Sequence, residues 1–278
     1  MLAWSAMGQT LSAELGEVTL AYEIGGDGPR IVWSHGLGSS RAGDRDVIDA
    51  LAGHFTVLAY DARGHGESSP VTDEARHTYP LYSRDLRELL DHVGWERTAM
   101  AGASMGAATQ ARLAMEEPSR VSALVMARPG TSGTATAERI RLLFRVGGEA
   151  LRAGGWDKVV EFLMTIPEAA AVLAGPERVE ALRVEWSRHD ERSIAAALIG
   201  IPSSAPLTPE LDPKSITARV LVIPGNDPIH PREAGEAVAA MIPDARLAPP
   251  FDGLPREDET RRFVEMVRDF VLGEPARA

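Results

Sequence analysis

The chain has 278 residues, 44% hydrophobic and 25% charged, a balance that suits one large globular domain needing no disulfide or metal to fold. Its 29 Lys and Arg stand against 40 Asp and Glu, a net charge of -11, and with no basic cluster to offset it nucleic-acid binding is excluded. The absence of Cys excludes a disulfide framework, a thiolate nucleophile and Cys-ligated zinc.

Met1 to Glu17 lacks the basic flank and apolar core of a signal peptide, and no run approaches the roughly 18 apolar residues of a bilayer span. A cytoplasmic protein with no membrane partner is the expectation. Thr10 to Leu15 and Glu17 to Ile24 alternate apolar and polar residues and end at Gly25-Gly26-Asp27-Gly28, the pattern of an antiparallel pair closed by a turn. Short apolar runs then alternate with helical stretches: Ile31 to Trp33, a helix near Asp44 to Ala52, Thr56 to Tyr60, a helix from Leu81 to His92, Thr98 to Ala101, a helix from Ser104 to Glu116, and Val121 to Ala127. Buried strands alternating with helices predict an α/β fold, a mostly parallel sheet flanked by helices on both faces.

That rhythm stops after Arg128-Pro129-Gly130. From Thr134 to Ile201 the pattern is helical, and Pro202, Pro206, Pro209 and Pro213 punctuate the return to a strand at Val220 to Ile223. Helices near Pro231 to Met241 and Asp258 to Leu272 complete the chain. The expected organisation is a core of residues 1–130 and 208–278 with a helical cap, residues 131–207, inserted between two strands. Such a cap would roof a pocket over the strand ends, where open α/β sheets bind ligands. Trp33, Trp156, Trp186, Phe144, Phe162, Met164 and Leu198 are candidates to line it, although at helical spacing the last five are more often core than ligand contacts.

The strongest chemical signal is Gly102-Ala103-Ser104-Met105-Gly106, a G-x-S-x-G pentapeptide between an apolar strand and an Ala-rich helix. A nucleophile on so sharp a turn needs small neighbours, and Ser104 would stand at a helix N-terminus whose partial positive charge favours a developing anion. By itself the pentapeptide also fits a Gly-rich turn with an N-cap Ser. Two further motifs follow strands directly: His35-Gly36-Leu37-Gly38 after Ile31 to Trp33, and Asp61-Ala62-Arg63-Gly64-His65-Gly66-Glu67-Ser68 after Thr56 to Tyr60. No zinc-protease helix, EF-hand or Walker loop is present, so no cofactor or metal is expected.

With these three motifs the sequence resembles the α/β-hydrolase superfamily over nearly its whole length. The resemblance implies that backbone N–H groups of Leu37 and Met105 form an oxyanion hole, worth several kcal/mol to a tetrahedral intermediate. It makes Asp61, Arg63 and His65 a structural turn. It also places the triad acid in the loop after Val220 to Ile223, where Pro224-Gly225-Asn226-Asp227-Pro228-Ile229-His230-Pro231 offers Asp227.

The family's general base is a His between the last strand and the C-terminal helix. Here Leu247 to Glu259 contains no His, and the last His of the chain is His230. A Ser hydroxyl needs a base to act as a nucleophile at neutral pH, so the expectation is an incomplete triad with no preformed Ser–His–Asp chain. Three readings follow. His230 is the first candidate for the base, with His35 beside the oxyanion loop and His189 in the cap as others; His35 otherwise orients its loop, and His189 is otherwise a solvated cap residue. A carboxylate, Asp252, Glu257, Asp258 or Glu259, would instead fill the vacant position. Or Ser104 only donates a hydrogen bond, and the pocket serves an isomerase, lyase, cyclase or epimerase, or a binding module. Hydrolysis of a small ester, lactone or thioester through Ser104 leads, with a non-hydrolytic enzyme as the alternative.

Overall fold

The computed structural model describes residues 7–130, 135–173, 175–206, 211–249 and 255–273. Among them one eight-stranded sheet runs in the order β1-β2-β4-β3-β5-β6-β7-β8. Its strands are β1 (Leu11–Leu15), β2 (Val18–Gly25), β3 (Arg30–Ser34), β4 (Thr56–Tyr60), β5 (Thr98–Ala103), β6 (Val121–Ala127), β7 (Arg219–Ile223) and β8 (Arg246–Leu247). The β1–β2 and β2–β4 pairs are antiparallel and all others parallel. The strands expected from the apolar runs are all present. Only β8 lacks a counterpart in the sequence reading, because two residues carry no periodicity.

The alternation of side chains along the strands feeds two cores, one on each face. On one face Val32, Leu58, Met100, Leu124 and Val222 pack under α2 (Tyr79–His92) and α3 (Met105–Glu116). On the other Ile31, Trp33, Val57, Val125 and Ile223 pack under α1 (Arg45–Ala52) and α9 (Arg256–Leu272), where Trp33 meets Phe263 edge-on. Both faces being covered explains why the central strands read as continuous apolar runs.

Between β6 and β7 the described residues contain helices and no strand: α4 (Ala135–Leu163), broken at Gly154–Gly155, α5 (Pro167–Val172), α6 (Pro176–Trp186) and α7 (Glu191–Ser203). Pro202 sits in the last turn of α7 rather than beyond it. Trp156 and Trp186 stack on each other, ring centroids 4.4 Å apart, in a small core with Leu151, Val159 and Ile194. This helical layer docks on the loops after β3 and β4. The Gly66 N–H donates to His189 Nδ1 (3.0 Å), the Val71 N–H donates to Ser193 Oγ (2.9 Å), and the Tyr79 N–H donates to Ser204 Oγ (3.0 Å).

Candidate active site

β3 and β5 are parallel neighbours with Ser34 opposite Gly102, so the His35–Gly38 loop and the Ser104 turn leave the sheet side by side. Ser104 itself has φ 49 and ψ -111, a left-handed conformation that a non-glycine residue holds only when its surroundings dictate it. Those surroundings are tight: a Cβ on Gly106 would lie 2.1 Å from the Ser34 carbonyl oxygen. Gln110 bolts the start of α3 to the sheet, its Nε2 donating to Ser34 Oγ (2.8 Å) and the Ala101 carbonyl (3.0 Å). Across the next strands, the Ser104 N–H donates to the Ala127 carbonyl and the Arg128 N–H to the Ile223 carbonyl. These bonds bring the loop after β7 alongside the Ser104 turn.

That loop is wound by its own acid. Asp227 Oδ1 accepts the N–H groups of Ile229 (2.8 Å) and His230 (2.9 Å), an Asx-type turn that folds the chain back on itself. Gly225 permits the closure, since a Cβ there would lie 2.6 Å from His230 Cβ and 2.4 Å from its carbonyl oxygen. The imidazole then lies between acid and serine: His230 Nδ1 is 3.1 Å from Asp227 Oδ2, and His230 Nε2 is 2.9 Å from Ser104 Oγ. The network fits the Nδ1–H tautomer, with Nε2 accepting from the Ser hydroxyl. Burial by itself pushes the Asp227 carboxyl up. The hydrogen bond and charge of His230, with the two backbone N–H donors, outweigh burial and hold it at about 2.

The expectation of an incomplete triad with no preformed chain is therefore corrected. The reason is local: an i to i+3 Asx turn lets one loop present both Asp227 and His230. Of the stretch Phe251 to Glu259 expected to fill the usual His position, Phe251 to Leu254, including Asp252, lie outside the described residues. Glu257, Asp258 and Glu259 form the first turn of α9. Asp258 pairs with Arg261 and Glu259 with Arg128, and none of the three lines the Ser104 pocket.

The other His candidates are committed elsewhere. His35 is buried, accepts the Ala62 N–H at Nε2 (2.9 Å) and so donates from Nδ1 to the Gly36 carbonyl (2.8 Å). It orients the loop that carries Leu37. His189 is not a solvated residue: it is 7% exposed, receives the Gly66 N–H and meets the His65 ring edge-on. Burial, then the nearby His35, lowers its pKa to about 4, and the same two causes hold His65 well below the ordinary range. The Asp61–Ser68 segment is the scaffold expected of it. Asp61 accepts the N–H groups of Arg41 and Glu67, and the fully buried Arg63 grips Asp85 with two bonds of 2.6 Å.

A pocket of about 190 Å³ opens on Ser104 and His230, with Leu37 and Met105 on its wall. Among the described residues neither the Leu37 nor the Met105 N–H has a protein acceptor. Ile140 and Phe144 of α4 and Ile201 of α7 close the far side. Of the aromatic and apolar candidates for the lining only Phe144 is there. Trp33 packs in the sheet core, Trp156 and Trp186 on each other, and Met164 faces outward at 49% exposure.

This sheet, turn and loop arrangement defines an α/β-hydrolase fold, and comparison with known proteins agrees. Residues 29–160 match the family described as alpha/beta hydrolase fold. Over 116 residues the chain is 34% identical to a fluoroacetate dehalogenase from a Burkholderia species, 41% of this chain and 38% of that one. It spans about two fifths to half the length of the curated relatives it matches. A hydrolase from Pseudomonas aeruginosa superposes with a TM-score of 0.78 at 26% identity, covering 95% of this chain and 98% of that one. A thermophilic esterase from Thermogutta terrifontis gives a TM-score of 0.76 at 26% identity, covering 96% and 99%. The chain has the α/β-hydrolase fold and matches that family over residues 29–160, and these relatives are hydrolases. No helix among the described residues is long and apolar enough to cross a membrane.

Proposed function

We propose that the chain is a serine hydrolase of small carboxylic esters, with lactones and thioesters open to the same acyl chemistry. The observation that carries this reading is the hydrogen-bonded series Asp227–His230–Ser104. Ser104 Oγ attacks the carbonyl carbon as its proton passes to His230 Nε2, and Asp227 holds the imidazole in the right tautomer and offsets its new charge. The carbonyl oxygen, now anionic, takes the Leu37 and Met105 N–H groups. Collapse of the intermediate expels the alcohol, which leaves with the proton from His230, and a water deprotonated by the same nitrogen releases the acid from acyl-Ser104.

In this reading α4 to α7 are the cap over a core formed by the rest of the chain, and the pocket between them admits a small molecule. In the non-hydrolytic alternative Ser104 would only donate a hydrogen bond to the substrate; His230 Nε2, 2.9 Å from Ser104 Oγ, favours the nucleophile instead. Turnover of 4-nitrophenyl acetate by the wild type, Ser104→Ala and His230→Ala tests the reading. Both substitutions should abolish nearly all turnover. Activity that survives Ser104→Ala overturns it.

A further inference from the structure

Behind the Ser104 pocket lies a second cavity of about 60 Å³ that shares Tyr79, Gly130 and Pro206 with it. The two cavities therefore adjoin, with Tyr79, Gly130 and Pro206 as their common wall. The inner chamber runs between α3, the end of β6 and α8 (Arg232–Met241), and its walls include Ala111, Met115, Met126, Ile216, Val238 and Met241. The first four are at most 6% exposed, whereas Met241 is 37% exposed, so the chamber runs from the buried core towards the surface. Among the described residues no charged side chain lines it. A cavity walled this way holds water poorly and favours apolar matter.

We infer that this chamber is the acyl-chain subsite of the enzyme, and that the preferred substrates are esters of straight-chain, medium-length aliphatic acids. The inference rests on the serine-hydrolase reading above and adds the substrate class to it. Size decides the shape of the occupant. A cavity that takes a benzene ring measures about 150 Å³, so this one excludes a ring and accepts a slender chain. Tyr79 stands at the junction of the chambers with its N–H held by Ser204 Oγ, which fixes the start of α2 beside the passage. A tail entering past it trades water for Met and Ile side chains. Each methylene buried is worth about 0.8 kcal/mol, which is about fourfold in kcat/KM.

The test is a series of 4-nitrophenyl acetate, butanoate, hexanoate and octanoate, with 4-nitrophenyl benzoate as the ring-bearing control. In the wild type kcat/KM should climb about fourfold for each methylene that enters, level off by octanoate, and be lower for benzoate than for hexanoate. Val238→Trp fills the chamber and should lower the hexanoate-to-acetate ratio at least tenfold. Met241→Ala lengthens it and should move the plateau to longer chains. A flat series in the wild type, or a ratio unchanged in both variants, overturns the inference while leaving Ser104-dependent hydrolysis of the acetate ester intact. If no ester is turned over, the serine-hydrolase reading has failed. The subsite is then judged by calorimetric binding of butanoate, hexanoate and octanoate to Ser104→Ala, whose Kd must still fall with chain length. Thermal unfolding of each variant verifies that it is folded.

Discussion

His230 Nε2 lies 2.9 Å from Ser104 Oγ across 126 residues of sequence, and it reaches that position from the same loop that carries its carboxylate partner. His230 is placed by the Asx turn of Asp227 rather than by a separate loop after the last strand. Asp227 and His230 thus belong to one hydrogen-bonded turn, so that disturbing one disturbs the other.

The first prediction follows from that coupling. Ser104→Ala and His230→Ala should each lower kcat on a common aryl ester by three or more orders of magnitude, and the double variant should be no worse than either single one, as groups acting as a unit are not additive. Steady-state kinetics with active-site titration checks this. A His230→Ala enzyme within tenfold of wild type would remove His230 from the mechanism.

Asp227→Asn leaves the size of the side chain unchanged but removes the charge that holds the imidazole tautomer, and a loss of about 10⁴ in kcat is expected. The same variant has a stability signature. The folded Asp227 pKa is lowered to about 2 from 3.8, so its contribution is complete above pH 3.8 and is lost as pH falls through 2. Urea unfolding of Asp227→Asn should be flatter than wild type between those two values.

Gly225→Ala tests the loop closure. A Cβ there would overlap the His230 carbonyl oxygen and Cβ, so the loop must open and carry the imidazole away from Ser104. Stability should fall by about 1–3 kcal/mol, as for other overpacked sites, while kcat drops by far more than that loss accounts for. Circular dichroism melts alongside kinetics separate the two effects. Activity close to wild type would mean that the closure does not position His230.

Buried neutral histidines predict acid sensitivity. His189 and His77 each titrate at about 4 in the fold against 6.5 for the free side chain, burial being the main cause. Between those values the unfolded chain binds a proton that the folded chain refuses, so stability is full above pH 6.5, declines as pH falls to 4, and loses nothing more from these groups below that. Each His accounts for at most about 3 kcal/mol. His189→Asn keeps an acceptor for the Gly66 N–H and should shallow the decline, measured as urea unfolding free energy at pH 7, 5.5 and 4.

The chain order of the elements, the parallel sheet and the Ser104 turn were legible from residues 10–127 and 220–272. Their signals are local: apolar runs such as Ile31 to Trp33, and glycines at 102 and 106 where strand and helix must almost touch. The helical character of the segment between β6 and β7 was legible in the same way. Which of its side chains face the pocket was not, because Trp156 and Trp186 chose each other and left Phe144 to the site.

The placement of His230 belongs to the tertiary structure. The sequence by itself determined that no His follows His230 and that Asp227 precedes it by three residues. It did not determine that the imidazole meets Ser104. That meeting depends on the Asp227 carboxylate capping the N–H groups of Ile229 and His230, on a glycine at 225 allowing the loop to close, and on β5, β6 and β7 being consecutive in the sheet. Hydrogen bonds and strand order bring together residues 126 apart, and a periodicity confined to a dozen residues carries no information about either.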